Sequence, residues 1–236
     1  MSFDPETALL VERGSDQPVL SSYLLSSAGF RQAFGRDPTW VPEYGDDVVQ
    51  AIRREHTQQL KPASVLIPVV PRAGQLQVVL TQRTAHLHDH GGQISFPGGR
   101  QEPEDKTPQQ TALREAKEEI GLALHQVEVL GLLPDYLTAT GYRVTPVVAL
   151  VQTDTVWTPD PNEVAEVFET PLSFLMNPAH HEKRQVRWSE LRQEQVIENV
   201  RHFYAMPWQQ AGRNYFIWGA TAAMLRNLYL FLRAQI

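Results

Sequence analysis

The most regular pattern of apolar and polar positions lies in residues 107–121, and it predicts one helix with defined ends. Thr107 can cap the first turn, Pro108 suits the first helical position, and Gln110 stands at the third position of a capping box. Gly121 suits the C-terminal stop, since glycine readily adopts the left-handed conformation that ends many helices. At about 100° per residue, the apolar side chains fall in one sector, which contains Ala112, Leu113, Ala116 and Ile120.

Other segments have the alternation and the β-branched residues that are typical of strands. They are residues 64–70, 76–81, 94–96, 127–133 and 142–151, with a late pair at 186–188 and 200–204 that we expect to lie side by side. Further helices are predicted at 163–176, interrupted by Pro171, and at 220–232. This mixture of elements predicts an α/β fold in which a mixed sheet lies between helices.

The first part of the chain, residues 1–62, is predicted as an N-terminal helical extension whose better-defined helix is 46–60. Prolines such as Pro38 and Pro62 punctuate this segment. We expect the extension to precede a separate domain at 63–236, and either to pack on that domain or to help form a homodimer.

Composition narrows the range of functions. The chain of 236 residues has a net charge of −6, which argues against a nucleic-acid partner because phosphate backbones require concentrated lysine and arginine. It has no cysteine, so disulfides and thiol catalysis are excluded. We see neither a signal-peptide pattern nor an apolar stretch long enough to span a membrane. We therefore expect a cytoplasmic protein without a membrane partner.

Glu115, Glu118 and Glu119 form an acidic sector of the predicted helix, beside its apolar sector, while Arg114 lies in a third sector that points away. Like charges three or four residues apart repel each other on a helix. Two interpretations are open. The sector is either a solvated acidic face, on which Arg114 pairs with Glu118, or a site for a divalent cation. Hard carboxylate oxygens favour magnesium or manganese over zinc.

The spacing around this sector resembles the Nudix box, Gx5Ex7REUxEExGU, in which U is aliphatic. Residues 114–122 read REAKEEIGL and match its second half, with Ala116 as U. In the first half, Gly99 lies one residue further from the arginine than in the pattern. Lys106 stands at the glutamate position, and Asp105 comes one residue before it. The coenzyme A pyrophosphatase branch of the family typically has this longer spacing, with an aspartate near that place.

Two upstream segments resemble the signature of the same branch, LLTxRSA…GxxxFPGG. Residues 80–85 read LTQRTA and residues 92–99 read GQISFPGG. His88 stands where this signature usually has a basic residue, mostly arginine.

The resemblance implies a Nudix-type α/β/α sandwich with a mixed β-sheet, and Mg²⁺ or Mn²⁺ as the cofactor. It implies that the three glutamates of the acidic sector hold the metal, and a backbone carbonyl at Gly99 can add a ligand. It also implies that Arg114 is structural and braces the loop before the helix by pairing with an acid, for which Asp105 is our candidate.

Three cationic side chains are candidates for substrate binding. Arg83 ends a predicted strand that leads into the site, and it is either a bidentate donor to a substrate phosphate or a surface arginine. The same two interpretations apply to Arg100. His88 can meet a substrate phosphate in place of the usual basic residue.

The general base has three candidates. Glu163 and Glu166 follow a predicted strand at the start of a predicted helix, although acids are favoured at that position for electrostatic reasons alone. Glu119 of the acidic sector is the third candidate, since it can itself activate a water.

Three functions follow as hypotheses, all with a small nucleotide as partner. The first is metal-dependent hydrolysis of the pyrophosphate bond of coenzyme A or its thioesters, which releases 3′,5′-ADP and 4′-phosphopantetheine or its acyl form. The second is the same chemistry on another nucleoside diphosphate derivative, such as ADP-ribose or NADH. The third is a non-catalytic Nudix-fold binding module.

Overall fold

The computed structural model of the protein describes residues 4–46, 60–84, 92–192 and 195–235. The α-helices in these ranges are α1 (Ser27–Phe34), α2 (Pro108–Ile120), α3 (Leu172–Leu175) and α4 (Gly219–Arg233). The strands are β1 (Leu9–Arg13), β2 (Lys61–Arg72), β3 (Gln75–Arg83), β4 (Ile94–Ser95), β5 (Gly98–Arg100), β6 (Val127–Leu132), β7 (Tyr136–Leu137), β8 (Tyr142–Val151), β9 (Val164–Pro171), β10 (Glu182–Arg192), β11 (Gln195–Gln210) and β12 (Arg213–Trp218). Across the described ranges, no helix has the length and hydropathy needed to cross a membrane.

Eight strands form a mixed sheet in the order β4-β3-β2-β8-β6, with β9 beside β3, β5 beside β2 and β7 beside β8. β2 and β8 are parallel, and the other pairs are antiparallel. β2 pairs with β3 over residues 69–72 and 75–78, and the two strands then diverge. β4 and β5 fill this fork, because β4 pairs with β3 while β5 pairs with the first part of β2. The fork therefore brings the loop before α2 into the sheet.

The sheet lies between two helices, which confirms the predicted α/β/α sandwich. α2 packs on one face through Ala116 and Ile120, in a core that includes Leu66. α4 packs on the other face through Leu225 and Leu228. Nearly every residue of α4 is buried, because a second sheet in the order β1-β10-β11-β12 and the N-terminal segment also contact it. The predicted late strands are confirmed as the β10–β11 hairpin.

The predicted ends of α2 are confirmed. The Thr107 hydroxyl accepts a hydrogen bond from the N–H of Gln110 at 3.2 Å, and the helix ends at Gly121 with φ of 71°. The Gln110 side chain does not complete a capping box, since its Oε1 accepts from the N–H of Lys106 at 2.6 Å, one residue before the cap. These contacts fix where the acidic sector begins and ends.

The helix predicted at residues 163–176 is wrong. Val164–Pro171 form β9, and the helix is confined to Leu172–Leu175. β9 runs antiparallel to β3 along almost its whole length, so its backbone groups are satisfied by the neighbouring strand. Its β-branched and aromatic residues, such as Val167 and Phe168, also suit a pleated and partly buried surface.

The N-terminal segment is less helical than predicted. Residues Leu9–Arg13 form a strand that pairs with β10, and the described part of this segment otherwise has α1 and a short 3-10 helix at Pro5–Thr7. The helix predicted at 46–60 lies almost entirely outside the described residues. The division of the chain near residue 62 and the homodimer stay predictions.

A buried network around Arg226, which is 4% exposed, joins α4 to the N-terminal segment. Its guanidinium donates to Glu43 Oε2 at 3.0 Å and to Gln17 Oε1 at 2.9 Å. The hydroxyl of Tyr204 also donates to the Glu43 carboxylate. Nδ1 of His181 lies 3.3 Å from Arg226, and burial lowers the pKa of His181 to about 4, so its ring is neutral and can accept this bond.

We predict that Arg226→Met lowers the free energy of unfolding by about 2–3 kcal/mol, because it removes the positive charge beside the partly buried Glu43 carboxylate and leaves Nδ1 of His181 without a donor. The same substitution at Arg31 is the matched control. Arg31 and its partner Glu128 are about half exposed, so the loss there should stay below about 1 kcal/mol. Urea denaturation measures both, and equal losses would contradict the assignment of Arg226 as a buried tie.

Candidate active site

Glu119 is the most enclosed carboxylate near the fork in the sheet, with 2% exposure. Its Oε2 accepts a hydrogen bond from the N–H of Gly98 at 3.2 Å, and its Oε1 lies 3.5 Å from Nη1 of Arg83. Burial raises the pKa of Glu119 to about 8. Arg83 and the Gly98 N–H oppose that rise, while the charges of Glu115 and Glu163 add to it. A cation beside this carboxylate would strongly stabilise its charged form.

Glu115 lies against the backbone of β5. A Cβ on Gly99 would lie 2.5 Å from Glu115 Oε1, so the absence of a side chain at Gly99 is what lets the carboxylate approach the strand. Burial raises the pKa of Glu115, and the neighbouring charges of Glu118 and Glu163 add to that rise, whereas Arg114 opposes it. A Cβ on Gly98 would likewise meet the β2 backbone, so each of these two neighbouring glycines has its own steric reason.

Arg114 joins the loop before α2 to the acidic sector. Its Nη2 lies 3.0 Å from Asp105 Oδ2 and donates to the carbonyl of Arg100 at 2.9 Å. The hydrogen bond from Arg114 lowers the pKa of Asp105, a buried carboxyl. This is the contact that the family resemblance implied.

The sequence interpretation of Arg114 as pointing away from the acidic sector is wrong. Its Nη1 lies 2.9 Å from Glu115 Oε1 and also 2.9 Å from Glu118 Oε2. The guanidinium is a planar fork on a long stem, and it spans Asp105 on one side and the two glutamates on the other.

Glu118 is the outermost of the three glutamates, with 58% of its side chain exposed. In the part of the chain that the structure describes, no three histidine or acidic side chains converge closely enough to hold a metal ion. Arg114 explains this, because it bridges Glu115 and Glu118 at the place where a cation would attract both. The donors nevertheless fit a hard cation: a buried carboxylate, a second against the β5 backbone and a third at the rim.

Sequence reasoning missed the loop that closes the C-terminal end of α2. The N–H of Asp160 donates to the carbonyl of Glu119, and the N–H of Thr158 donates to that of Ile120, both at 3.0 Å. The N–H of Thr84 donates to the carbonyl of Glu163 at 3.0 Å, directly after Arg83. These bonds bring Glu163 close enough to raise the pKa of both Glu115 and Glu119.

An ion pair and several hydrogen bonds fix the part of this loop that directly follows β8. Arg72 lies 2.8 Å from Glu169 Oε1, and the indole N–H of Trp157 donates to the same oxygen at 2.7 Å. Arg72 also donates to the carbonyls of Thr153 and Thr155. No spacing in the sequence marks these residues as partners, since they come from three separate segments.

Glu166, the other predicted base, has different neighbours from Glu163. Its Oε1 accepts from Arg213 at 2.8 Å and from the hydroxyl of Tyr215 at 3.0 Å. Both partners belong to β12 of the second sheet. The structure therefore brings Glu163, rather than Glu166, to the acidic sector.

The guanidinium of Arg100, another predicted substrate-binding group, makes no ion pair with a carboxylate of the described residues. The Arg100 guanidinium stacks on Tyr142, with 5.2 Å from its Cζ to the ring centre. Its backbone carbonyl, in contrast, accepts from Arg114. His88 lies outside the described residues, so its role stays a prediction.

The chain is similar in sequence to several known proteins. A family model described as the NUDIX domain matches residues 60–209. An uncharacterized Nudix hydrolase, NudL, from Escherichia coli O7:K1 (strain IAI39) is 37% identical over 179 residues, which cover 76% of this chain and 86% of the relative. NudL of Escherichia coli K12 gives the same identity and coverage. Among solved structures, RenU, a Nudix hydrolase from M. smegmatis, is 26% identical over 52% of this chain and 78% of its own, with a TM-score of 0.43.

We predict that Gly99→Ala weakens Mg²⁺ or Mn²⁺ binding about 10- to 100-fold, the usual effect of disturbing a group that orients a ligand. The new methyl group would displace the Glu115 carboxylate from the β5 backbone. Gly35→Ala is the control, because its Cβ would meet its nearest neighbour at an ordinary 3.5 Å. Calorimetric titration measures both variants, and unchanged affinity in Gly99→Ala would show that Glu115 is not a ligand.

The raised pKa of Glu119 predicts a pH dependence in the metal-free protein. Its folded pKa of about 8 lies above the ordinary glutamate value of 4.5, so between these pH values the folded state holds a proton that the unfolded state has lost. The free energy of unfolding should therefore fall as pH rises through this window, by up to about 1.4 kcal/mol per unit. Glu119→Gln should flatten this slope in urea denaturation between pH 5 and 8, and an identical slope in the variant would contradict the assignment.

Proposed function

The chain belongs to the Nudix family of hydrolases, and from that premise we propose that its substrate, a nucleoside diphosphate derivative, is coenzyme A or one of its thioesters. The reaction is hydrolysis of the pyrophosphate bond, with 3′,5′-ADP and 4′-phosphopantetheine or its acyl form as products. We also propose a cytoplasmic location, as the sequence predicts.

One observation carries the choice of coenzyme A. The two segments that resemble the coenzyme A pyrophosphatase signature meet at one carboxylate, since Arg83 of the first and Gly98 of the second both contact Glu119. A signature that recognises a substrate is expected to border the reacting phosphates. Arg83 is exposed enough on its outer side, at 26% of its side chain, to donate to a phosphate oxygen as well.

Glu115, Glu118 and Glu119 are the residues that would hold Mg²⁺ or Mn²⁺, and the carbonyl of Gly99 would add a ligand. A divalent cation supplies neutralisation of the pyrophosphate charge and a lower pKa for a bound water. Arg114 would then keep its bonds to Asp105 and to the carbonyl of Arg100 while it releases the two glutamates. Its role is to hold the loop in place during that exchange.

Glu163 is our candidate for the general base. It lies close enough to act on the charges of Glu115 and Glu119, and backbone bonds from Thr84 and to Asp160 fix its position. Among the described residues its carboxylate forms no hydrogen bond or ion pair, so it is open to a water in the site. Glu166 is held by Arg213 and Tyr215 and is the weaker candidate.

The deciding assay incubates the purified protein with coenzyme A and Mg²⁺ or Mn²⁺ and separates the products by chromatography. We expect 3′,5′-ADP to appear, and ADP-ribose and NADH at equal concentration to be poorer substrates. Preferential hydrolysis of ADP-ribose or NADH would replace coenzyme A with the alternative substrate class. No turnover of any member of the panel would favour the non-catalytic binding module.

Variants of the carboxylates separate catalysis from binding. Glu118→Gln and Glu119→Gln should each reduce turnover by orders of magnitude while the protein stays folded. Glu163→Gln should reduce kcat by about 10²–10⁴-fold with little change in KM, the usual contribution of a general base. Glu166→Gln is its matched control and should keep kcat near the wild-type value; a larger loss there than in Glu163→Gln would reverse the assignment.

A further inference from the structure

Two cations without a carboxylate partner lie at the end of the main sheet where β2 begins. Lys61 starts β2, Arg100 ends β5, and both side chains are exposed. Within the described residues neither forms an ion pair. Arginines elsewhere on this sheet, such as Arg72 and Arg83, are paired with carboxylates. The strand register brings these two positive charges to the same end of the main sheet.

The strand register places these two cations on one face of the sheet. Arg100 lies opposite Ala63, which is two residues after Lys61 on β2. Tyr142 lies opposite Lys61 on β8. Side chains two residues apart on a strand point to the same face, so Lys61, Arg100 and Tyr142 share it. Long side chains at such diagonal positions can reach the same ligand.

Tyr142 also holds the Arg100 side chain in place. The guanidinium stacks on the phenol ring, 5.2 Å from its centre. A contact with a ring face uses none of the five N–H donors of an arginine side chain on a carboxylate, so these donors can bind a ligand. The Tyr142 ring therefore restricts the positions that the Arg100 guanidinium can take.

Along the chain, Arg100 comes directly after a residue that borders the carboxylate site. Gly99, which borders Glu115, directly precedes Arg100. The carbonyl of Arg100 accepts from Arg114, so its backbone belongs to the wall of the site. Its side chain lies on the other face of the sheet, since Ala63 and Tyr142 pack against the core that contains α4. A ligand whose pyrophosphate lies by the glutamates reaches Arg100 by passing around the end of β5.

We propose that Lys61 and Arg100 form a second anion subsite, which binds a phosphomonoester of the substrate that is separate from the pyrophosphate being cleaved. A dianionic phosphate suits an arginine fork and a lysine point charge together. The inference rests on the proposed function, because coenzyme A carries such a group on its 3′-oxygen whereas ADP-ribose and NADH do not.

The test compares the binding of adenosine 3′,5′-bisphosphate with that of AMP by calorimetry, at fixed Mg²⁺. These ligands differ only in the 3′-phosphate. We expect the wild-type protein to bind the bisphosphate at least about tenfold more tightly, and Arg100→Gln and Lys61→Gln each to lose most of that preference while AMP binding is unchanged. Arg100→Lys should recover part of it. Arg36→Gln, which removes an exposed cation after α1, is the matched control and should change neither affinity.

Equal or undetectable binding of the two ligands to the wild-type protein would overturn the subsite, as would a variant that weakens both ligands equally. Because the readout is binding, it is independent of the hydrolysis assay. A preference for the bisphosphate without hydrolysis of coenzyme A would retain the subsite and refute the proposed substrate. If the protein hydrolyses coenzyme A and Arg100→Gln still prefers the bisphosphate over AMP, the proposed substrate is retained and the subsite is refuted.

Discussion

The site depends on one costly arrangement, the burial of the Glu119 carboxylate beneath the fork of the main sheet. A carboxylate out of water requires compensation, and here it comes from the N–H of Gly98 and from Arg83. Arg83 ends β3, one of the two diverging strands, and Gly98 begins β5, one of the two strands that fill the fork. The divergence of β2 from β3 is therefore what creates the position for a buried acid, and α2 delivers the acid to it from one face of the sheet.

The surrounding contacts keep this arrangement in register. Arg114 ties the loop before α2 to the helix through Asp105, and the loop after β8 is tied to the helix end through Asp160. On the opposite face, α4 is buried between the main sheet and the second sheet, with Arg226 joining it to the N-terminal segment. The elements that carry the three carboxylates are therefore tied to one another at both ends of α2 and on both faces of the main sheet.

Local signals predicted the parts of the structure that are encoded locally. Thr107 and Gly121 defined α2 because caps act within one turn, and the alternation of apolar residues defined most strands. β9 was missed because its partner β3 lies far away in the sequence, and tertiary pairing overrode the helical interpretation of its first residues. The contacts of Arg114 with Glu115 and Glu118 were missed for a different reason: a helical projection gives directions at the backbone and does not show how far a long side chain reaches. The proximity of Glu163 to the glutamates depends on hydrogen bonds from Thr84 and to Asp160, which no spacing reveals.

The most direct test of a cation site built on the buried carboxylate is a crystal structure of the protein with Mn²⁺, in which anomalous scattering locates the ion without assumptions about its ligands. The account predicts an ion in contact with the carboxylates of Glu115 and Glu119, with Arg114 turned away from Glu115 and still bound to Asp105. An ion bound elsewhere, with Arg114 still bridging Glu115 and Glu118, would contradict it.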